Sequence, residues 1–142
     1  MSAPDSTKSA LVVTRRYAAP AEKVFAAWTD PTSIGQWLSP FGKSRATLDL
    51  RVGGSFTIVM LGPDAEVEHT GEYLEIERPR RLVFTWKSPY TGPTPSVVTV
   101  ELRPDGNETE LTLKHEQLPE EHVDAHRGGW AQILENLAQQ LG

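Results

Sequence analysis

Between residues 46 and 115 the chain repeats one device: a run that alternates apolar and polar residues, followed by a few turn formers. The runs are ATLDLRV, SFTIVML, VEHTGEYLEI, RLVFTWKS, SVVTVELR and ETELTLKH, and the separators are GG, GPDA, ERPR, PYTGPTP and PDGN. Alternation at period two places every second side chain on one face of a strand. Ala46, Leu48, Leu50 and Val52 therefore share a side. So do Phe56, Ile58 and Met60; Leu82, Phe84 and Trp86; Val98, Val100 and Leu102; and Leu111, Leu113 and His115. The opposite positions are mostly Arg, Asp, Thr, Lys and Glu. Separators this short join antiparallel neighbours, and PDGN between two alternating runs is a hairpin signal. PYTGPTP, residues 89 to 95, is expected to be a mobile loop. The Gly53-Gly54 pair opens a strand and is assigned to a turn or bulge, not to phosphate binding.

An antiparallel meander with one apolar face needs a cover. LVVTRRY, residues 11 to 17, reads as a strand ahead of the meander. APAEKVFAAW then places Pro20 at a first helical position, with Val24, Phe25 and Trp28 on one face. Asp30-Pro31 repeats the start signal, and Ile34, Trp37 and Leu38 form the apolar side of a second short helix that ends before Pro40. The only long helix runs from about Pro119 to Leu141. His126, Trp130, Ile133, Leu137 and Leu141, flanked by Leu134, form a stripe wide enough to face the sheet. HRGGW places Gly128 and Gly129 near its start, each costing about 1 kcal/mol relative to alanine. They are expected to let the helix backbone approach a strand or the short helices, with Trp130 filling the space behind. The expectation is an α+β fold: a curved antiparallel sheet of about seven strands wrapped on a long C-terminal helix, with two short helices after the first strand. Residues 1–9 are read as a disordered tail and 10–142 as one domain.

Charge and composition narrow the function classes. Fourteen Lys and Arg against nineteen Asp and Glu give a net charge of −5, and no basic block extends beyond Arg78, Arg80 and Arg81. That argues against a phosphate-backbone footprint, so nucleic acid is not expected as a partner. The absence of cysteine removes disulfides, thiolate nucleophiles and Cys-ligated zinc. The first ten residues lack a signal-peptide pattern and no run of about 18 apolar residues occurs, so a cytoplasmic protein without membrane insertion is expected.

The order strand, two short helices, meander and long C-terminal helix is the helix-grip arrangement. RRYAAPAEKVFAAWTDPTSIGQWLSP resembles the opening of START-like (SRPBCC superfamily) proteins of the branch named for activators of a heat-shock-protein ATPase. RVGGSFTIVM, HTGEYLEIERPRRLVFTW and HRGGWAQILENL are similar to that branch as well, so the resemblance spans about residues 11 to 141. Many relatives carry paired tryptophans where this chain has Trp37-Leu38, which implies a differently shaped or more open end of the cavity. The resemblance implies a sheet gripping the helix around an internal, mostly apolar pocket. Its members include lipid and polyketide binders, aromatase or cyclase relatives and resistance proteins, so the fold alone selects no function.

The candidate cavity consists of Trp37, Phe56, Ile58, Met60, Phe84, Trp86, Val98, Val100, Leu113, His115, His126, Trp130, Ile133 and Leu134. The same residues would also make a filled core. His115 lies in phase with the inward Leu111 and Leu113, and Arg15 with Val13 and Tyr17. Each is either a ligand-orienting group or a member of a structural pair. His122 and His126 have the helical spacing of a metal pair but no third ligand, so no metal is expected. No cofactor motif occurs, no catalytic residue is singled out, and Glu66/Glu68 and Glu120/Glu121 are read as solvated or first-turn charge. The function expected is binding of a small hydrophobic or aromatic, lipid- or polyketide-like molecule by a monomer or homodimer. The alternatives are a polyketide cyclase or hydrolase acting in the same cavity with His115 as acid or base, and a chaperone-associated interaction protein.

Overall fold

The structure, a computed structural model, describes residues 8–92 and 94–141. β1 (Lys8–Tyr17) is followed by α1 (Ala21–Thr29) and α2 (Pro31–Trp37). Next come β2 (Lys43–Leu48), β3 (Ser55–Leu61), β4 (Glu66–Glu77), β5 (Arg81–Trp86), β6 (Ser96–Asp105) and β7 (Glu108–Pro119). A 3-10 turn (Glu120–His122) then leads into α3 (Val123–Leu141). The strands form one antiparallel sheet in the order β1-β7-β6-β5-β4-β3-β2. This is the expected helix-grip fold. β1 starts at Lys8, so the expected tail gives up its last two residues to the sheet; the rest of it, 1–7, lies outside the described residues. Among the described residues no helix is long and apolar enough to cross a membrane.

Local chemistry sets the element ends. The Asp30 carboxylate accepts from the Thr32 amide at 3.0 Å and Pro31 occupies the first turn of α2, so one residue closes α1 and caps α2. Ser44 ties β2 to α2 by donating its hydroxyl to the Ile34 carbonyl. The core lies between the concave face of the sheet and the three helices. It contains Trp28, Trp37, Phe56, Phe84, Trp86 and Trp130 together with the aliphatic residues of β5, β6, β7 and α3.

Two expectations fail. Leu50 and Val52 are exposed, because β2 ends at Leu48 and residues 49–54 turn back on themselves, with the Gly54 amide donating to the Arg51 carbonyl. Gly128 and Gly129 mark no close approach. A Cβ at Gly128 would meet nothing within 4 Å, and one at Gly129 would touch only the Pro40 side chain at 3.7 Å, an ordinary contact. Gly128 is exposed and Gly129 half-buried; Trp130, one residue on, is buried. Close approaches lie elsewhere, as at Gly71 on β4, where a Cβ would lie 2.0 Å from the Thr85 carbonyl oxygen and 2.4 Å from the Phe56 ring.

Candidate functional site

An apolar cleft of about 270 Å³ lies at the N-terminal end of α3. One wall is Ala125, His126, Gly129, Trp130 and Ile133 of α3, with His122 just before it. The opposite wall is Met60 of β3, Val67 and His69 of β4, Gly62 and Ala65 between those strands, and Trp86 at the end of β5. Pro40, Phe41 and Tyr90 close the sides.

The polar framework behind this wall is ordered by donor and acceptor chemistry. The Trp130 indole N–H lies 2.9 Å from His115 Nδ1. An indole nitrogen only donates, so Nδ1 must be the acceptor and the imidazole proton sits on Nε2. That proton faces Ser96 Oγ at 2.7 Å, and the Ser96 hydroxyl donates to the Trp86 carbonyl at 2.6 Å. The chain thus joins two cleft-wall tryptophans, whose rings are 5.3 Å apart, through a neutral histidine. His115 and Ser96 are fully buried. Burial, with smaller contributions from His126 and His69, pushes the His115 imidazole down to about 3.

The other histidines surround the cleft. His69 stacks on Trp86 with ring centroids 4.6 Å apart, and its Nδ1 is 3.2 Å from the Val67 carbonyl. Burial pushes it down to about 4, against the effect of its backbone hydrogen bonds. His126 stands edge-on to His115 at 5.2 Å, with Nδ1 2.8 Å from the His122 carbonyl. Its imidazole is also held below the usual value, first by burial. His122 lies against Tyr90 at the rim. Among the described residues no three His, Asp or Glu side chains converge as a metal site.

Two turns of the same kind present the rim aromatics. The Phe41 amide donates to Ser39 Oγ at 3.1 Å, and the Tyr90 amide donates to Ser88 Oγ at 3.0 Å. Both serines are buried, yet Phe41 and Tyr90 are 65% and 52% exposed. The first turn is fastened to α3 by Asn136, which donates to the Ser39 carbonyl at 2.8 Å. In the second, fully buried Thr91 accepts from the Ser88 amide and donates to the Ser88 carbonyl. The front of the expected mobile loop is therefore a hydrogen-bonded turn; Pro93, farther along it, lies outside the described residues.

Of the residues expected at a cavity, Met60, Trp86, His126, Trp130 and Ile133 line the cleft. Phe56, Ile58 and Phe84 instead surround an internal void of about 10 Å³, room for roughly one water. Trp37, Val98, Val100, Leu113, His115 and Leu134 are packed in the core, because the interlocking rings leave no space beside them. Arg15 is ion-paired with Glu135 of α3 and serves as a strap between β1 and the helix. His69, Val67, Phe41 and Tyr90 were not among the expected residues. His69 was legible in principle, since Val67, His69 and Tyr73 alternate inward along β4. Phe41 and Tyr90 sit on turns, where periodicity gives no sign.

The family model described as "Activator of Hsp90 ATPase homolog 1-like protein" matches residues 18–142. No curated protein matches the chain. Among solved structures, CalU16 from Micromonospora echinospora is 30% identical, with 94% of this chain and 76% of that one covered and a TM-score of 0.73. Mll3558 from Rhizobium loti is 30% identical over 94% and 97% of the two chains, with a TM-score of 0.77. PFC0360w from Plasmodium falciparum, described as an HSP90 activator, is 32% identical over 78% and 74%, with a TM-score of 0.64.

Proposed function

The chain belongs to the family of activator of Hsp90 ATPase homolog 1-like proteins, and on that premise we propose that it is a cytoplasmic binding protein for a small apolar or aromatic molecule held in the cleft between α3 and the β3–β4 hairpin. The observation that carries this reading is the cleft itself. Its about 270 Å³ approaches the lower end of small-molecule sites, and its walls are tryptophan, methionine, isoleucine and valine with a few imidazoles. The framework behind Trp86 and Trp130 leaves them little freedom to collapse into the space. Phe41 and Tyr90 stand where they can close over a guest.

The cyclase or hydrolase alternative needs His115 as an acid or base. Both its ring nitrogens are already engaged by Trp130 and Ser96, and it does not line the cleft, so it has nothing to offer a substrate. The chaperone-associated alternative is supported by the likeness to the Plasmodium protein. Stoichiometric recovery of a heat-shock ATPase on the immobilised chain would favour it over small-molecule binding.

The test is native mass spectrometry of the protein purified from its own cells, paired with titration of a panel of aromatic and fatty compounds. Saturable binding that perturbs Trp86 and Trp130 emission supports the proposal. A chain that is ligand-free and binds none of the panel overturns it.

A further inference from the structure

The cleft offers a guest very little polar chemistry, and the hydrogen bonds around it define what that chemistry is. Among the described residues no Lys, Arg, Asp or Glu lines it. A carboxylate, phosphate or ammonium entering it would lose its water without meeting a fixed countercharge, which is costly. His126 is the polar side chain on the α3 wall. Its Nδ1 lies 2.8 Å from the His122 carbonyl, and a carbonyl can only accept, so Nδ1 carries the proton. In the neutral ring Nε2 is left with a lone pair and no hydrogen. Burial keeps the ring in that neutral form. His115, the neighbouring imidazole, is closed to a guest because both its nitrogens are engaged within the protein. His69 spends its Nδ1 proton on the Val67 carbonyl and turns its ring face to Trp86.

We infer that the occupant is an uncharged, flat aromatic molecule bearing a hydroxyl group, its rings against Trp86 and Trp130 and its O–H donated to Nε2 of His126. The inference rests on the cleft being the ligand site. It adds the sign of the hydrogen bond at His126: there the protein accepts and the ligand donates. A ligand that can only accept, such as an ether or a quinone, finds no partner at His126, and a carboxylate must first bring a proton to it. A hydroxylated ring is retained while unsubstituted hydrocarbons and aromatic acids are discriminated against.

Four bicyclic probes of nearly one shape test this on the unmodified protein: naphthalene, 2-naphthol, 2-methoxynaphthalene and 2-naphthoate. Binding is followed at pH 7.5 by NMR titration of the Trp130 indole N–H resonance. The expected result is that 2-naphthol binds about tenfold more tightly than 2-methoxynaphthalene or naphthalene, and more tightly than 2-naphthoate. His126→Phe, which keeps a ring and removes the acceptor, should bring 2-naphthol down to the level of naphthalene while leaving naphthalene within about twofold. Equal binding of 2-naphthol and 2-methoxynaphthalene, or tightest binding of 2-naphthoate, overturns this inference and leaves the cleft reading intact. Failure of all four probes to bind overturns both.

Discussion

The indole nitrogen of Trp130 stands 2.9 Å from Nδ1 of His115, with both side chains almost wholly out of water. One contact therefore fixes the tautomer of the histidine and the orientation of a cleft wall. Trp130→Phe keeps most of the buried ring but leaves Nδ1 without a donor, and should cost about 1 to 3 kcal/mol. Trp130→Ala adds a cavity and should cost about 3 to 5 kcal/mol. A double-mutant cycle with His115→Leu, read by urea denaturation, should return a coupling of about 0.5 to 3 kcal/mol. A coupling near zero would mean that the two side chains are merely neighbours.

Acid should loosen this protein earlier than exposed carboxylates alone would. An unfolded imidazole titrates near 6.5, whereas His69 is held at about 4 and His115 at about 3. Between those values and about 6.5 the unfolded chain binds more protons than the folded one. Stability is therefore full above about 6.5 and declines as pH falls toward 4, by up to about 1.4 kcal/mol per pH unit for each histidine. His69→Phe, which keeps a ring against Trp86, should make the decline shallower. Urea midpoints across pH 7.5 to 4.5 in both proteins measure the difference.

The glycines should divide by what a methyl group would meet. Gly128→Ala meets open space in a helix and should raise stability by up to about 1 kcal/mol; Gly129→Ala should share its sign. Gly71→Ala would drive a carbon into the Thr85 carbonyl and the Phe56 ring, and should destabilise by several kcal/mol or block folding. Thermal melts of the three variants decide it. A stabilised Gly71→Ala would show that β4 can shift to make room.

The contrast between those glycines shows what sequence reading can and cannot reach. Alternation exposes the inward faces of β3, β5, β6 and β7, because burial on one side of a strand repeats every second residue. It misleads at Leu50 and Val52, since the apolar pattern continues after the strand has turned away. It is silent at Ser44, a buried hydroxyl whose reason is the carbonyl of Ile34 across the chain. HRGGW looked like a close-packing signal because glycine in a helix loses stability unless something offsets it, and the structure provides no such neighbour. The cleft was half visible: the residues on α3 and β5 follow a period, whereas its rim comes from turns whose side chains are placed by tertiary hydrogen bonds.

Removing a rim aromatic should separate binding from stability. Phe41→Ala trims a largely exposed ring, so the melting temperature should move by no more than the small shift expected for a surface change of about 0.5 kcal/mol. Affinity for an aromatic probe should nevertheless fall severalfold. Tyr90→Ala should behave alike. A variant that loses stability but not affinity would make the ring a structural element and not part of the site.

Among the described residues β1 finds its sheet partner only in β7, and Arg15 straps it to α3. On the ribosome, where some 5 to 20 residues are added each second, that strand must wait unpaired until β7 has emerged. The other six strands can zip hairpin by hairpin as they appear, and the helix that walls the cleft comes last. The binding site is thus completed only once α3 has followed β7 out, and a nascent chain stalled before Glu108 should still carry β1 as an open edge for chaperones to hold.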